Sequence, residues 1–166
     1  MREEFWNHQD REGRTQSIGN NMNKLMNVPA RKKGRWYCGP YVMAAITGQS
    51  FEVIRTAINR AKGRPDTRGV CGVHPRQLKT AFRTLGWKYF PTYECKYADG
   101  KMTLKQFMKS INGDDDSIYV VYITGHYVAV QGDMFIDTFS THKVSTAFAP
   151  RTGKTVKAVY KMSKMT

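Results

Sequence analysis

"GHYVAVQGDMFIDT", residues 125–138, sets β-branched and aromatic side chains on both sides of a Gly-Asp pair. Two such runs joined by two residues read as a β-hairpin, and glycine in the first turn position suits a type II′ turn. A turn at Gly132-Asp133 pairs residues whose numbers sum to 265, so 126 faces 139 and 128 faces 137. His126 and Asp137 then project from one face of the sheet as diagonal neighbours, about 7 Å apart at the backbone. A register slip of two keeps them together, whereas a slip of one separates them.

Working outward, "SIYVVYI" (117–123) reads as the strand before this hairpin and "VKAVYKM" (156–162) as the last strand. "WKYFPTYE" (87–94) is a further strand, Thr103 caps a short helix "LKQFMKSI" (104–111), and "NGDDD" is a turn. Three helices precede these elements. The first spans Gly39–Thr47, with Pro40 in its first turn and Gly48 at its end. Ser50 caps the second, "FEVIRTAINRAK", whose Phe51, Ile54, Ala57, Ile58 and Ala61 share a face before Gly63. The third runs from about Pro75 to Leu85, turns Leu78, Ala81, Phe82 and Leu85 inward, and stops at Gly86. "GRPDTRGVCG" (63–72) between them is a loop. Helices first and an antiparallel sheet after them make an α+β arrangement. Residues 1–30 read as a polar arm with apolar anchors at Phe5, Trp6, Leu25, Met26 and Val28, and residues 31–166 as the domain.

A chain of 166 residues, 40% hydrophobic, suffices for one domain with a real core. No run approaches the roughly 18 apolar residues of a membrane span, and "MREEFWNHQDREGR" lacks the apolar segment of a signal peptide. A soluble, cytoplasmic protein without membrane contact is expected. Three cysteines, Cys38, Cys71 and Cys95, cannot all pair, which suits a reducing compartment. Cys71 and His74 form one close pair of metal-ligand type, which Cys95 could join. A structural zinc site normally has two such pairs, so no metal is expected.

Cys38 lies in "RWYCGPYVMAAITGQS" (35–50), at the amino end of the first helix. Unpaired N–H groups and the helix dipole there favour the thiolate and offer donors to an oxyanion. Such a nucleophile needs a base, and the histidines are His8, His74, His126 and His142. The hairpin register favours His126, because it supplies Asp137 to fix the imidazole tautomer and support its positive charge.

"WYCGPYVMAAITG" followed by "GHYVAVQGDMFIDTFS" resembles the papain-like cysteine hydrolase superfamily, in particular its C39-like and small bacteriophage-borne members. The resemblance covers about residues 36 to 140. It implies a papain-like fold with Cys38 as nucleophile, His126 as base and Asp137 as orienting acid. The implied activity is that of a thiol hydrolase or acyl transferase acting on an amide or isopeptide bond of a protein or peptide, without cofactor, in the host cytoplasm if phage-encoded. The family commonly places Gln or Asn a few residues before the cysteine as an oxyanion donor, and Val28–Tyr37 contains neither. Lys32 stands near that position, and Asn27 could reach back.

The net charge of +14 arises from Arg31 onward, since four cations and four acids cancel within residues 1–30. After Asp137 there is no acid, while Lys143, Arg151, Lys154, Lys157, Lys161 and Lys164 follow. Such a surface suits nucleic acid or an acidic host protein. The alternative function is therefore an inactive binding protein of the same shape. Arg31, Lys32, Lys33 and Arg35, together with the C-terminal cations, are expected near the thiol as an anion-binding rim. No helix-turn-helix, zinc-finger or RNA-recognition pattern is legible.

Overall fold

The computed structural model describes residues 24–28, 37–94, 101–111, 116–138 and 144–166. Three helices come first: α1 (Cys38–Thr47), α2 (Phe51–Ala61) and α3 (Pro75–Thr84). They are followed by β1 (Trp87–Glu94), α4 (Leu104–Ser110), β2 (Ile118–Ile123), β3 (His126–Gln131), β4 (Met134–Ile136), β5 (Val144–Ser145) and β6 (Val156–Lys164). The fold is α+β. The strands form one sheet in the order β1-β6-β2-β3-β4-β5, and every pairing is antiparallel.

Local chemistry sets the helix ends. The Ser50 side chain accepts the Val53 N–H, and Thr103 and Gln106 form a reciprocal capping box on α4. His74 does the same for α3 with Gln77, ahead of Pro75 in the first turn. Its Nδ1 accepts the Arg76 N–H at 3.3 Å.

Apolar alternation then places the sheet between two layers. Ile118 and Val120 of β2 pack with α1, α2 and α3, while Tyr119, Val121 and Ile123 pack with Leu104, Phe107 and Met108 of α4. On the first face Phe82, Tyr89 and Tyr160 stack in series, with ring centroids 5.8 and 4.2 Å apart. Leu25 and Val28, at 1% and 2% exposure, belong to the same core, so the end of the expected arm is built into the domain. Met26 is half exposed, but its N–H bonds the Ala45 carbonyl at 2.7 Å. Residues 1–23 of that arm lie outside the described residues.

The hairpin that decides the fold has the expected register. Ala129 pairs with Ile136, Val130 with Phe135 and Gln131 with Met134, each pair summing to 265. Gly132 has φ +53 and Asp133 does not share the left-handed region, as a type II′ turn requires. Three details differ from expectation. α1 begins one residue earlier, at Cys38 itself. The second strand of the hairpin, expected to carry Asp137, ends at Ile136, because the backbone leaves the ladder before Asp137. β5 and the 3-10 turn Thr146–Phe148 were not expected from so short and polar a stretch.

Candidate active site

α1 runs along β3. Its amino end lies at His126, and its carboxyl end lies toward Gln131, whose Oε1 accepts the Leu25 N–H at 2.8 Å beside the Met26–Ala45 contact. Cys38 is the first residue of α1 and is half-buried. Tyr37 before it is extended and makes no side-chain cap, and Pro40 brings no N–H. The first turn therefore keeps its N–H groups for an anion rather than for a capping side chain. Gly39 permits close approach, since an added Cβ would lie 3.2 Å from Val73 Cβ and Cγ2. Val73 is held in turn by its carbonyl, which accepts the Tyr127 hydroxyl at 3.0 Å.

His126 opens β3 directly after the tight turn Thr124-Gly125 and pairs with Ile123. Asp137 follows the last residue of β4, at the same end of the sheet. The two side chains meet, with His126 Nε2 3.3 Å from Asp137 Oδ2. His126 is 6% exposed and Asp137 fully buried. With Nε2 on the carboxylate, Nδ1 is the ring nitrogen left to exchange a proton with the thiol.

The electrostatics favour moving the thiol proton toward the imidazole. Burial pushes the Cys38 thiol up, but the hydrogen bond to His126, the Tyr127 N–H, the imidazole charge and the Gly39 N–H together take it below the ordinary thiol range. Burial pulls the His126 imidazole down, and hydrogen bonds to Asp137 and Cys38 with the charges of both outweigh it, raising the imidazole above its ordinary value. Tyr41 on α1 feels the same carboxylate: burial, then the Asp137 charge, pushes its hydroxyl up.

Cys38, His126 and Asp137 are thus brought together from one helix end, the start of β3 and the residue just past β4. Asn27 is not brought to them. It is exposed and follows Met26, whose contact with Ala45 lies seven residues along α1 from Cys38, about 10 Å. The donors at the sulfur are instead backbone groups, the N–H of Tyr127 and of Gly39. Sequence reasoning missed Tyr127 in this role, although its N–H immediately follows the base. Lys32 lies outside the described residues, as do Arg31, Lys33 and Arg35, Cys95, His8 and His142.

His74 is occupied as a helix cap and Cys71 is exposed, with Lys62 Nζ bonded to its carbonyl at 2.7 Å. Among the described residues no three His, Cys, Asp or Glu side chains form a metal-holding group. Of the C-terminal cations, Lys157, Lys161 and Lys164 are spread along β6 rather than gathered at the thiol, and Lys143 lies outside the described residues. Lys157 follows Val156, which pairs with Ile123 at the His126 end, whereas Lys164 pairs with Trp87 at the far edge. No helix among the described residues is long and apolar enough to cross a membrane. No protein-family model matches the chain, and no curated protein matches it.

Proposed function

We propose that the chain is a papain-like thiol hydrolase or acyl transferase acting on an amide or isopeptide bond of a protein or peptide. The observation that carries this reading is the chain of contacts from Cys38 through His126 to Asp137 at the uncapped amino end of α1. A thiol helix packed on an antiparallel sheet, with the base at the start of β3 and the acid just past the end of β4, supports the papain-like comparison.

The Cys38 thiolate attacks the carbonyl carbon, the C=O electron pair moves onto oxygen, and backbone N–H groups at the α1 amino end stabilise the oxyanion. Collapse of that intermediate breaks the C–N bond, and the leaving amine takes its proton from the His126 imidazolium. This leaves a thioester on Cys38 and a neutral His126. Water, or an acceptor amine, then attacks the thioester carbonyl while His126 takes its proton, and the thiolate leaves with the imidazolium restored. Asp137 holds the ring orientation and supports its charge throughout.

Acylation by an activated ester such as p-nitrophenyl acetate tests this reading. A burst of one equivalent of nitrophenolate, with the acyl group on Cys38 by peptide mass spectrometry and both lost in Cys38→Ala, is the expected result. Absence of any Cys38 adduct at neutral pH overturns it and favours the second reading, a binding protein of the same shape, which the +14 charge supports.

A further inference from the structure

Residues 67–93 and 138–166 each carry no acidic residue. Residues 67–93 hold Arg68, Arg76, Lys79, Arg83 and Lys88, and residues 138–166 hold a further six cations. The topology brings the two stretches together, because β1 and β6 pair as the outermost two strands at one edge of the sheet. α3 packs beside them and turns Arg76, Lys79 and Arg83 outward at helical spacing. Lys79, Arg83 and Lys88 line a groove of about 460 Å³ with Tyr89, Phe90, Pro91 and Met165. The Met165 N–H is fixed to the Gly86 carbonyl at 2.8 Å.

Phe90 is the unusual member, a phenyl ring 49% exposed on a strand. It pairs with Lys161 on β6 and lies two residues from Lys88, so these three share the sheet face opposite α3, and the groove passes around the β1 edge from Lys79 and Arg83 toward the ring. An exposed ring framed by cations is the arrangement that stacks a base and neutralises the flanking phosphates. Edge strands also attract extended peptides, but this edge is unsuited to that use. Pro91 has no N–H, the register shifts between Pro91 and Tyr93, and Lys88 is charged and exposed. The groove accordingly favours an occupant bound through phosphates and a ring face over one bound through backbone pairing.

We infer that the α3–β1 groove is a single-stranded nucleic-acid site, with Lys79, Arg83 and Lys88 on phosphates and Phe90 stacked on a base. A base inside a duplex has both faces covered by its stacked neighbours, so the stacking contact selects against duplex. The site stands apart from Cys38: β1 is three strands from β3, about 14 Å across the sheet. It does not depend on the hydrolase reading.

Fluorescence anisotropy tests it on the full chain, with labelled single-stranded RNA and DNA of about twelve nucleotides, the matched duplex, and a polyglutamate peptide as competitor. Single strands are expected to bind more tightly than duplex, with affinity falling steeply from low to physiological salt. Lys79→Gln/Arg83→Gln reduces the slope of log affinity against log salt by about 1.4, the contribution of two phosphates on a single strand. Phe90→Ala weakens binding about 5- to 150-fold. These side chains are exposed, so both variants keep the wild-type melting temperature and Cys38 alkylation rate. The inference is overturned if single strands fail to bind at low salt, if neither variant changes binding, or if duplex binds equally and Phe90→Ala is neutral. Displacement by polyglutamate at matched charge also overturns it and assigns the groove to an acidic protein.

Discussion

His126 Nε2 lies 3.3 Å from Asp137 Oδ2, and both groups are buried where the β3–β4 hairpin meets the amino end of α1. The contact depends on a two-residue turn six positions beyond the histidine. Because Gly132-Asp133 fixes an odd pairing sum, the imidazole and the carboxylate emerge on one side of the sheet.

Removing the charge while keeping the shape isolates what Asp137 does. Asp137→Asn takes away both the hydrogen bond to a carboxylate and its charge, so the His126 pKa falls and the Cys38 pKa rises with the loss of the imidazolium. NMR titration of labelled histidine reads the first shift. Asp137→Ala additionally leaves a buried imidazole nitrogen unpaired, at a cost of about 1–3 kcal/mol in denaturant unfolding.

For the proposed hydrolase, the dependence of activity on pH follows from the two opposed shifts. The proposed active pair is thiolate with imidazolium. Activity rises as Cys38 deprotonates, below the free-thiol value of about 8.5, and falls as His126 deprotonates, above the free-imidazole value of about 6.5. A bell-shaped profile is expected, whereas alkylation, which needs no proton donor, keeps only the acid limb. In stability the signs differ. The raised His126 contributes stability that is complete below its unfolded value and lost as pH rises through the folded one. The lowered Cys38 contributes above its unfolded value and loses this as pH falls through its folded one.

Gly39 and Gly69 offer a matched pair of substitutions. An added Cβ at Gly39 meets Val73 at 3.2 Å, within the contact that seats the loop on Tyr127, and Gly39→Ala costs about 1–3 kcal/mol. A Cβ at Gly69 meets nothing within 4 Å. Its backbone is not left-handed, so Gly69→Ala is neutral or stabilising, by up to about 1 kcal/mol. Urea unfolding of both variants checks the contrast.

Leu25 tests whether the segment before α1 is part of the fold. Its burial among α1 and sheet residues predicts a loss of about 2–5 kcal/mol for Leu25→Ala, where a loosely docked arm would show almost none.

Local features were the legible ones. Caps at Ser50 and Thr103, the apolar faces of α2 and α3, and the turn at Gly132 all act within a few residues, and each appears in the structure. The sequence order alone also placed a thiol at a helix start and an acid beside a histidine. What lay hidden depends on distant partners. Asn59 is polar yet fully buried on α2, because its Nδ2 binds the carbonyls of Asp66 and Arg68 at 3.1 and 2.7 Å and so shapes the loop before α3. No periodicity reveals that role. The helix-end donors were expected, but the donor from β3 was hidden for the same reason: Tyr127 reaches the sulfur through its N–H, which every residue but proline carries. A search for Gln or Asn side chains therefore pointed to Asn27, at the other end of α1.

The central claim, that Cys38 is a thiolate poised against His126, is tested most directly by its rate of alkylation with iodoacetamide as a function of pH. A Cys71→Ser/Cys95→Ser background confines labelling to this thiol, and intact mass reads the rate. The account predicts that alkylation stays fast well below pH 8.5, the region of a free thiol, and that His126→Ala moves the midpoint upward. A midpoint at or above the free-thiol value, unmoved by His126→Ala, would contradict it.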